Sequence, residues 1–236
     1  SSSSSSSSSS SAVSSSPSSF GDSSAWSVHA RVARWGRALK GAAGVDLFST
    51  DLVLVPINES LHWSLAAVCH LRNLGVPDAE PRPVILLLDS LRTQRLHDPE
   101  RIVAYLRTYL CMEWKRERAA KGHTEGESEV AALLQALPMR VPKMSKVPQQ
   151  NNLFDCGLYL VRFARELYKA AASAPQAGGA FDAHSWRPEK CSPSQVSHMR
   201  GELKETICEL EEAYQGMKQL RQQEDGEGSP RKLFRS

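Results

Sequence analysis

The chain has 236 residues, 41% of them hydrophobic and 23% charged, with a formal net charge of +3. That is enough apolar material for one domain with tails, or at most two small domains, and too mild a positive balance to argue for nucleic acid. No run approaches the roughly 18 apolar residues of a membrane span, no charged-then-apolar leader opens the chain, and none of the five cysteines pairs at zinc-knuckle spacing. An odd number of cysteines in a chain of this length points to a reducing compartment, cytosol or nucleus.

Residues 1–25 are mostly serine and cannot bury enough apolar surface to offset the entropy of ordering, so they are expected to be disordered. In "WSVHARVARWGRALKG" the spacing of Val28, Val32, Trp35 and Leu39 predicts an amphipathic helix closing at Gly41. Two short apolar runs follow, "DLVLVPI" (51–57) and "HWSLAAVCHL" (62–71), with the turn-prone "NES" between them. A third, "PVILLLDSL" (83–91), follows a loop rich in proline, glycine and aspartate. Their length and density suit strands buried on both faces.

Residues 98–121 read as a helix with Asp98 as N-cap, Pro99 in the first turn, and Ile102, Leu106, Tyr109, Leu110 and Trp114 on one side. "GHTEGESE" reads as a polar loop, and "MRVPKMSKVP" (139–148) as a short strand whose prolines suggest an edge. Beyond Cys156, the residues Leu160, Phe163, Ala164 and Leu167 fall at i, i+3, i+4 and i+7, an amphipathic helix. After the loop "SAPQAGGA" a last helix is expected from Ser194 to Gln223. Its stripe of Val196, Met199, Leu203, Ile207, Leu210, Tyr214 and Met217 reads as core packing, with a coiled coil as the alternative. Residues 224–236 read as an unfolded tail.

The chemistry gathers around four residues. Cys156 stands where a helix begins, so free backbone N–H groups and the helix dipole favour thiolate over thiol. His62 opens a strand and Asp89 closes one. A carboxylate ending a buried strand needs a donor, and an imidazole N–H supplies it. Gln150, six residues before Cys156, can donate to an oxyanion together with the Cys156 backbone N–H. Each residue has an ordinary reading by itself: a buried inert thiol, a solvated turn histidine, a turn-capping aspartate, a polar loop glutamine. The order His, Asp, Gln, Cys, each at an element end, makes the joint ordinary reading much weaker.

The blocks "VPINESLHW", "VILLLDSL" and "VPQQNNLFDCGLYLV" resemble the signature blocks of the SUMO-specific, or Ulp-type, cysteine proteases. Asn58 and Glu59 ahead of the histidine look more like the chain-editing branch than the precursor-processing one. The resemblance implies an α+β papain-like cysteine protease fold, with a small mixed sheet packed between helices and the catalytic Cys at a helix N-terminus. It implies Cys156 as nucleophile, His62 as general base and acid, Asp89 as the orienter of His62, and Gln150 as oxyanion donor. Trp63 would lie over the channel admitting the modifier's Gly-Gly tail, where the ordinary reading is a core indole. Neither metal nor organic cofactor is implied.

The protease domain is expected over 26–223 with its N-terminal lobe incomplete. The family's second tunnel tryptophan and part of its docking surface belong where the serine run stands, and neither Trp26 nor Trp35 sits in that motif. SUMO or a SUMO-conjugated protein is the expected partner, with no nucleic acid or membrane, and a monomer is the expected state. Nuclear residence is implied by the resemblance, with the cytoplasm as the other location. The alternatives are a protease for another ubiquitin-like modifier, an acyltransferase with the same residue order, or an inactive modifier-binding relative.

Overall fold

The computed structural model describes residues 46–122, 127–177 and 179–227. The serine run, the helix expected at 26–41 and residues 228–236 lie outside the described residues. Four strands form one mixed sheet in the order β1-β2-β3-β4: β1 (Leu52–Glu59), β2 (His62–Cys69), β3 (Val84–Leu88) and β4 (Met139–Arg140). The first three are antiparallel neighbours, and β4 runs parallel to β3 at the edge.

The β1–β2 hairpin is tighter than "NES" suggested. Asn58 and Glu59 still belong to β1, and Glu59 pairs with His62 across a two-residue turn. Ser60 and Leu61 both take positive φ, 52° and 59°. Two such residues in succession match the right-handed twist of the flanking strands.

Period-two alternation sends β2 side chains to both faces, and both are covered. On one face Leu65, Ala67 and Cys69, with Val84, Leu86 and Leu88 of β3, meet Tyr159, Phe163 and Leu167 of a helix at Cys156–Ser173. On the other, Ala66, Val68, Ile85 and Leu87 meet Ile102, Val103, Leu110 and Cys111 of α1 (Pro99–Ala120), together with Leu134 of α2 (Glu127–Gln135). This burial explains the unbroken apolar runs of β2 and β3; β1, on the edge, is only half-buried. We number the Cys156–Ser173 helix α3 and the last helix, Pro193–Glu227, α4.

Helix α1 starts as expected: the Asp98 side chain accepts from the Glu100 N–H at 3.1 Å, and Pro99 follows it. Three expectations are corrected. Residues 127–135 form α2, so the end of the supposed polar loop is helical, and Leu134 buries completely. Helix α4 runs on to Glu227, four residues past its expected end. Its apolar stripe is not core throughout: Val196 and Met199 are buried, whereas Ile207, Leu210, Tyr214 and Met217 are exposed. The stripe outruns the body of the domain that its first two turns touch. Among the described residues no helix is long and apolar enough to cross a membrane.

Candidate active site

His62, the first residue of β2, is 1% exposed, which excludes a solvated turn histidine. Its Nε2 lies 2.8 Å from Asp89 Oδ1. A carboxylate accepts, so Nε2 carries the proton and the neutral ring keeps its lone pair on Nδ1. That Nδ1 is buried and has no hydrogen-bond partner. A buried basic nitrogen without a partner is costly unless something else uses it.

Asp89 follows the last residue of β3. The same Oδ1 also accepts from the Leu91 N–H at 2.8 Å, so the turn-cap reading and the orienting role hold together. The next residue, Ser90, is buried and donates from Oγ to Gln150 Oε1 at 2.7 Å, while its carbonyl accepts from the Gln150 N–H at 2.8 Å. Gln150 is therefore clasped to the strand end that carries Asp89. Its Nε2 gives one proton to the Asn152 carbonyl at 2.7 Å, which leaves a second N–H for another acceptor.

Cys156 begins α3 and is 5% exposed. This helix packs on β2, so two elements in contact carry the thiol and the imidazole. Asp155, at the N-cap position, makes no capping bond to the helix. Its carboxylate is occupied by Arg200 of α4 and by Asn152 Nδ2, the latter at 2.7 Å. The first N–H groups of α3 are thus left without a side-chain cap beside the thiol, where an anion would be stabilised. Elsewhere, burial pushes the Cys69 thiol up to about 12 and raises Cys111 and Cys191 above the ordinary thiol range.

Trp63 is 42% exposed, so it is not the core indole of the ordinary reading, and its neighbour Leu61 at the hairpin turn is almost fully exposed. Sequence reasoning missed several supporting residues. Gln149 donates from Nε2 to the Asp89 carbonyl at 2.9 Å and accepts from the Arg92 N–H at 3.3 Å. Its only sequence signal was its place beside Gln150. Asn152 accepts from the N–H groups of Phe154 and Asp155 and so shapes the loop ahead of Cys156. His97 is buried against His62, with nothing in the sequence to announce it. His62, Asp89 and His97 bring potential metal-ligand atoms within 4.8 Å of one another. Both ring nitrogens of His97 and Nε2 of His62 are already hydrogen-bonded to protein, so the protein's own network accounts for the cluster.

The frame thus carries a helix-borne thiol, an imidazole tied to a carboxylate and a clasped glutamine amide. The family model of the Ulp1 protease family, C-terminal catalytic domain, matches residues 7–192. The chain belongs to that family. A probable ubiquitin-like-specific protease 2B of Arabidopsis thaliana is 33% identical over 162 residues, 66% of this chain and 15% of that protein. The probable ubiquitin-like-specific protease 2A of the same plant is 34% identical over 161 residues, 67% of this chain and 18% of that protein. Sentrin-specific protease 7 of Homo sapiens is 27% identical over 199 residues, 62% of this chain and 17% of that protein. A solved structure described as a de-sumoylating protease aligns with 60% of this chain and 44% of its own at 25% identity and a TM-score of 0.40. The chain spans less than a fifth of the length of these three sequence relatives.

Proposed function

We propose that the chain is a thiol protease that hydrolyses the isopeptide or C-terminal peptide bond after the Gly-Gly tail of SUMO, deconjugating SUMO or editing its chains. The observation that carries the reading is the His62–Asp89 pair, which leaves Nδ1 of His62 as a buried, unpartnered base. Nδ1 takes the Cys156 proton, and the thiolate adds to the terminal glycine carbonyl carbon. The second Nε2 proton of Gln150 and the uncapped N–H of Cys156 stabilise the oxyanion. The C–N bond then breaks as His62 returns a proton from Nδ1 to the leaving lysine amine. Water, deprotonated at Nδ1, attacks the thioester and releases the modifier carboxylate and the Cys156 thiol.

Asp89 holds the ring so that Nδ1 faces this chemistry throughout. The half-exposed indole of Trp63, beside His62, is proposed to cover the tail, since two glycines are thin enough to pass beneath a flat ring. A protease for another ubiquitin-like modifier is the second reading. The names of the Arabidopsis relatives leave the modifier open, and a triad does not tell modifiers apart. Nuclear residence is proposed from the family resemblance.

The test is reaction of the purified chain with C-terminal electrophilic probes of SUMO and of ubiquitin, alongside Cys156→Ala. An adduct with the SUMO probe alone, lost in the variant, is expected. An adduct with ubiquitin alone would replace SUMO as the substrate, and an adduct surviving in Cys156→Ala would remove Cys156 as nucleophile.

A further inference from the structure

His97 precedes the N-cap of α1 and is 7% exposed, yet neither the triad nor the core accounts for it. Its ring centroid lies 4.7 Å from that of His62, with the planes tilted by 49°. Its Nε2 is 3.1 Å from the Glu59 carbonyl, and its Nδ1 is 2.7 Å from Ser64 Oγ. A carbonyl only accepts, so Nε2 carries the proton; in the neutral ring Nδ1 then accepts from the Ser64 hydroxyl. One ring thereby joins the last residue of β1 to a residue of β2, on either side of His62 in the chain.

The hairpin between those two contacts needs such a hold. Ser60 and Leu61 lie at positive φ without being glycine, a conformation that is strained for a residue with a side chain and persists only where its surroundings over-determine it. Arg101, four residues beyond His97 and on α1, reaches the same strand end and pairs with Glu59 Oε1 at 2.6 Å. The loop before α1 and the first turn of α1 therefore grip the hairpin from which His62 projects. Asp89 fixes His62 at one edge, through Nε2. A single hydrogen bond at a ring edge leaves rotation about that bond free, and a second ring packed against the first removes it.

We propose that His97 is a positioning residue for the catalytic step: by bridging Glu59 and Ser64 and packing against the His62 ring, it holds Nδ1 of His62 in its working direction. The inference rests on His62 serving as the base, as in the proposed function. It does not depend on which modifier is cleaved. A misplacement of about 1 Å at a reacting group costs about 10²-fold in rate, which sets the size of effect to look for.

The experiment compares His97→Ala and His97→Gln with wild type in the full chain. Glutamine can still donate to the Glu59 carbonyl and accept from Ser64, without an imidazole. Three readouts are taken: cleavage of a fluorogenic SUMO C-terminal conjugate, chloroacetamide alkylation of Cys156 followed by mass spectrometry, and melting temperature. Expected for His97→Ala is a 10- to 100-fold fall in kcat with KM unchanged and slower alkylation of Cys156, while the exposed Cys208 alkylates as in wild type. His97→Gln is expected to recover most of the loss. Wild-type rates in His97→Ala overturn the proposal. A loss in both variants that simply follows a lowered melting temperature overturns it too, in favour of a purely structural ring. If wild type leaves the SUMO conjugate uncut, the SUMO reading fails, and the alkylation rates of Cys156 alone judge His97.

Discussion

One carboxylate oxygen of Asp89 serves two donors, the imidazole of His62 and the N–H of Leu91. Replacing it by asparagine separates the hydrogen bonds from the charge. In Asp89→Asn the amide oxygen that takes the Leu91 N–H can also take the His62 Nε2–H, but the negative charge that stabilises the imidazolium is gone. Kcat is expected to fall by up to about 10⁴-fold, as for the equivalent change in a serine-protease triad, with a melting temperature close to wild type. A collapsed melting transition instead would make Asp89 mainly a structural cap. Gln150 and Gln149 look alike in sequence and do different work. Gln150→Ala removes the proposed oxyanion donor and should cost about 10²–10³ in kcat. Gln149→Ala releases the Asp89 carbonyl and the Arg92 N–H, and should lower stability by about 1 kcal/mol with a smaller kinetic effect. Parallel steady-state kinetics and urea unfolding check both. The four residues brought out by order and element ends were legible because each chemistry needs a particular side chain at a particular kind of position. Gln149, Asn152 and His97 were not, since their roles are hydrogen bonds to backbone or to distant residues, which leave no periodic trace.

Helices α3 and α4 both carry an apolar stripe, and only that of α3 is covered along its length. Leu167 of α3 is fully buried against the sheet, whereas Met217 of α4 is 56% exposed. Leu167→Ala should therefore destabilise the domain by roughly 2–5 kcal/mol, and Met217→Ser should stay within about 0.5 kcal/mol of wild type, both read by urea denaturation. A large effect at Met217 would mean that something covers the outer turns of α4 in solution. The first turns of that helix are anchored: Val196 and Met199 are buried, and Arg200 pairs with Asp155, the residue before Cys156. Periodicity reveals which residues share a face, but burial depends on whether another element lies opposite that face.

Across the whole molecule the cysteines sort by environment. Cys69, on a strand covered on both faces, has its thiol pushed up to about 12 by burial, so it stays protonated from neutral pH up to strongly alkaline conditions. Thiolate is the reactive form. Alkylation of the native protein at pH 8, followed by peptide mass spectrometry, is expected to modify Cys156 and the exposed Cys208 and to leave Cys69 untouched. Modification of Cys69 at a comparable rate would mean that the sheet opens. The sequence by itself determined the three main strands, α1, α3, the order His62, Asp89, Gln150, Cys156 and the family they resemble. Those follow from local spacing and from side-chain types that chemistry demands. The tertiary structure alone decided that α2 exists, that most of the α4 stripe stays in solvent, that Trp63 lies at the surface, that Gln149 bonds the Asp89 carbonyl and that His97 packs against His62. Each of these depends on which distant segment comes to lie opposite, and neither composition nor periodicity encodes that.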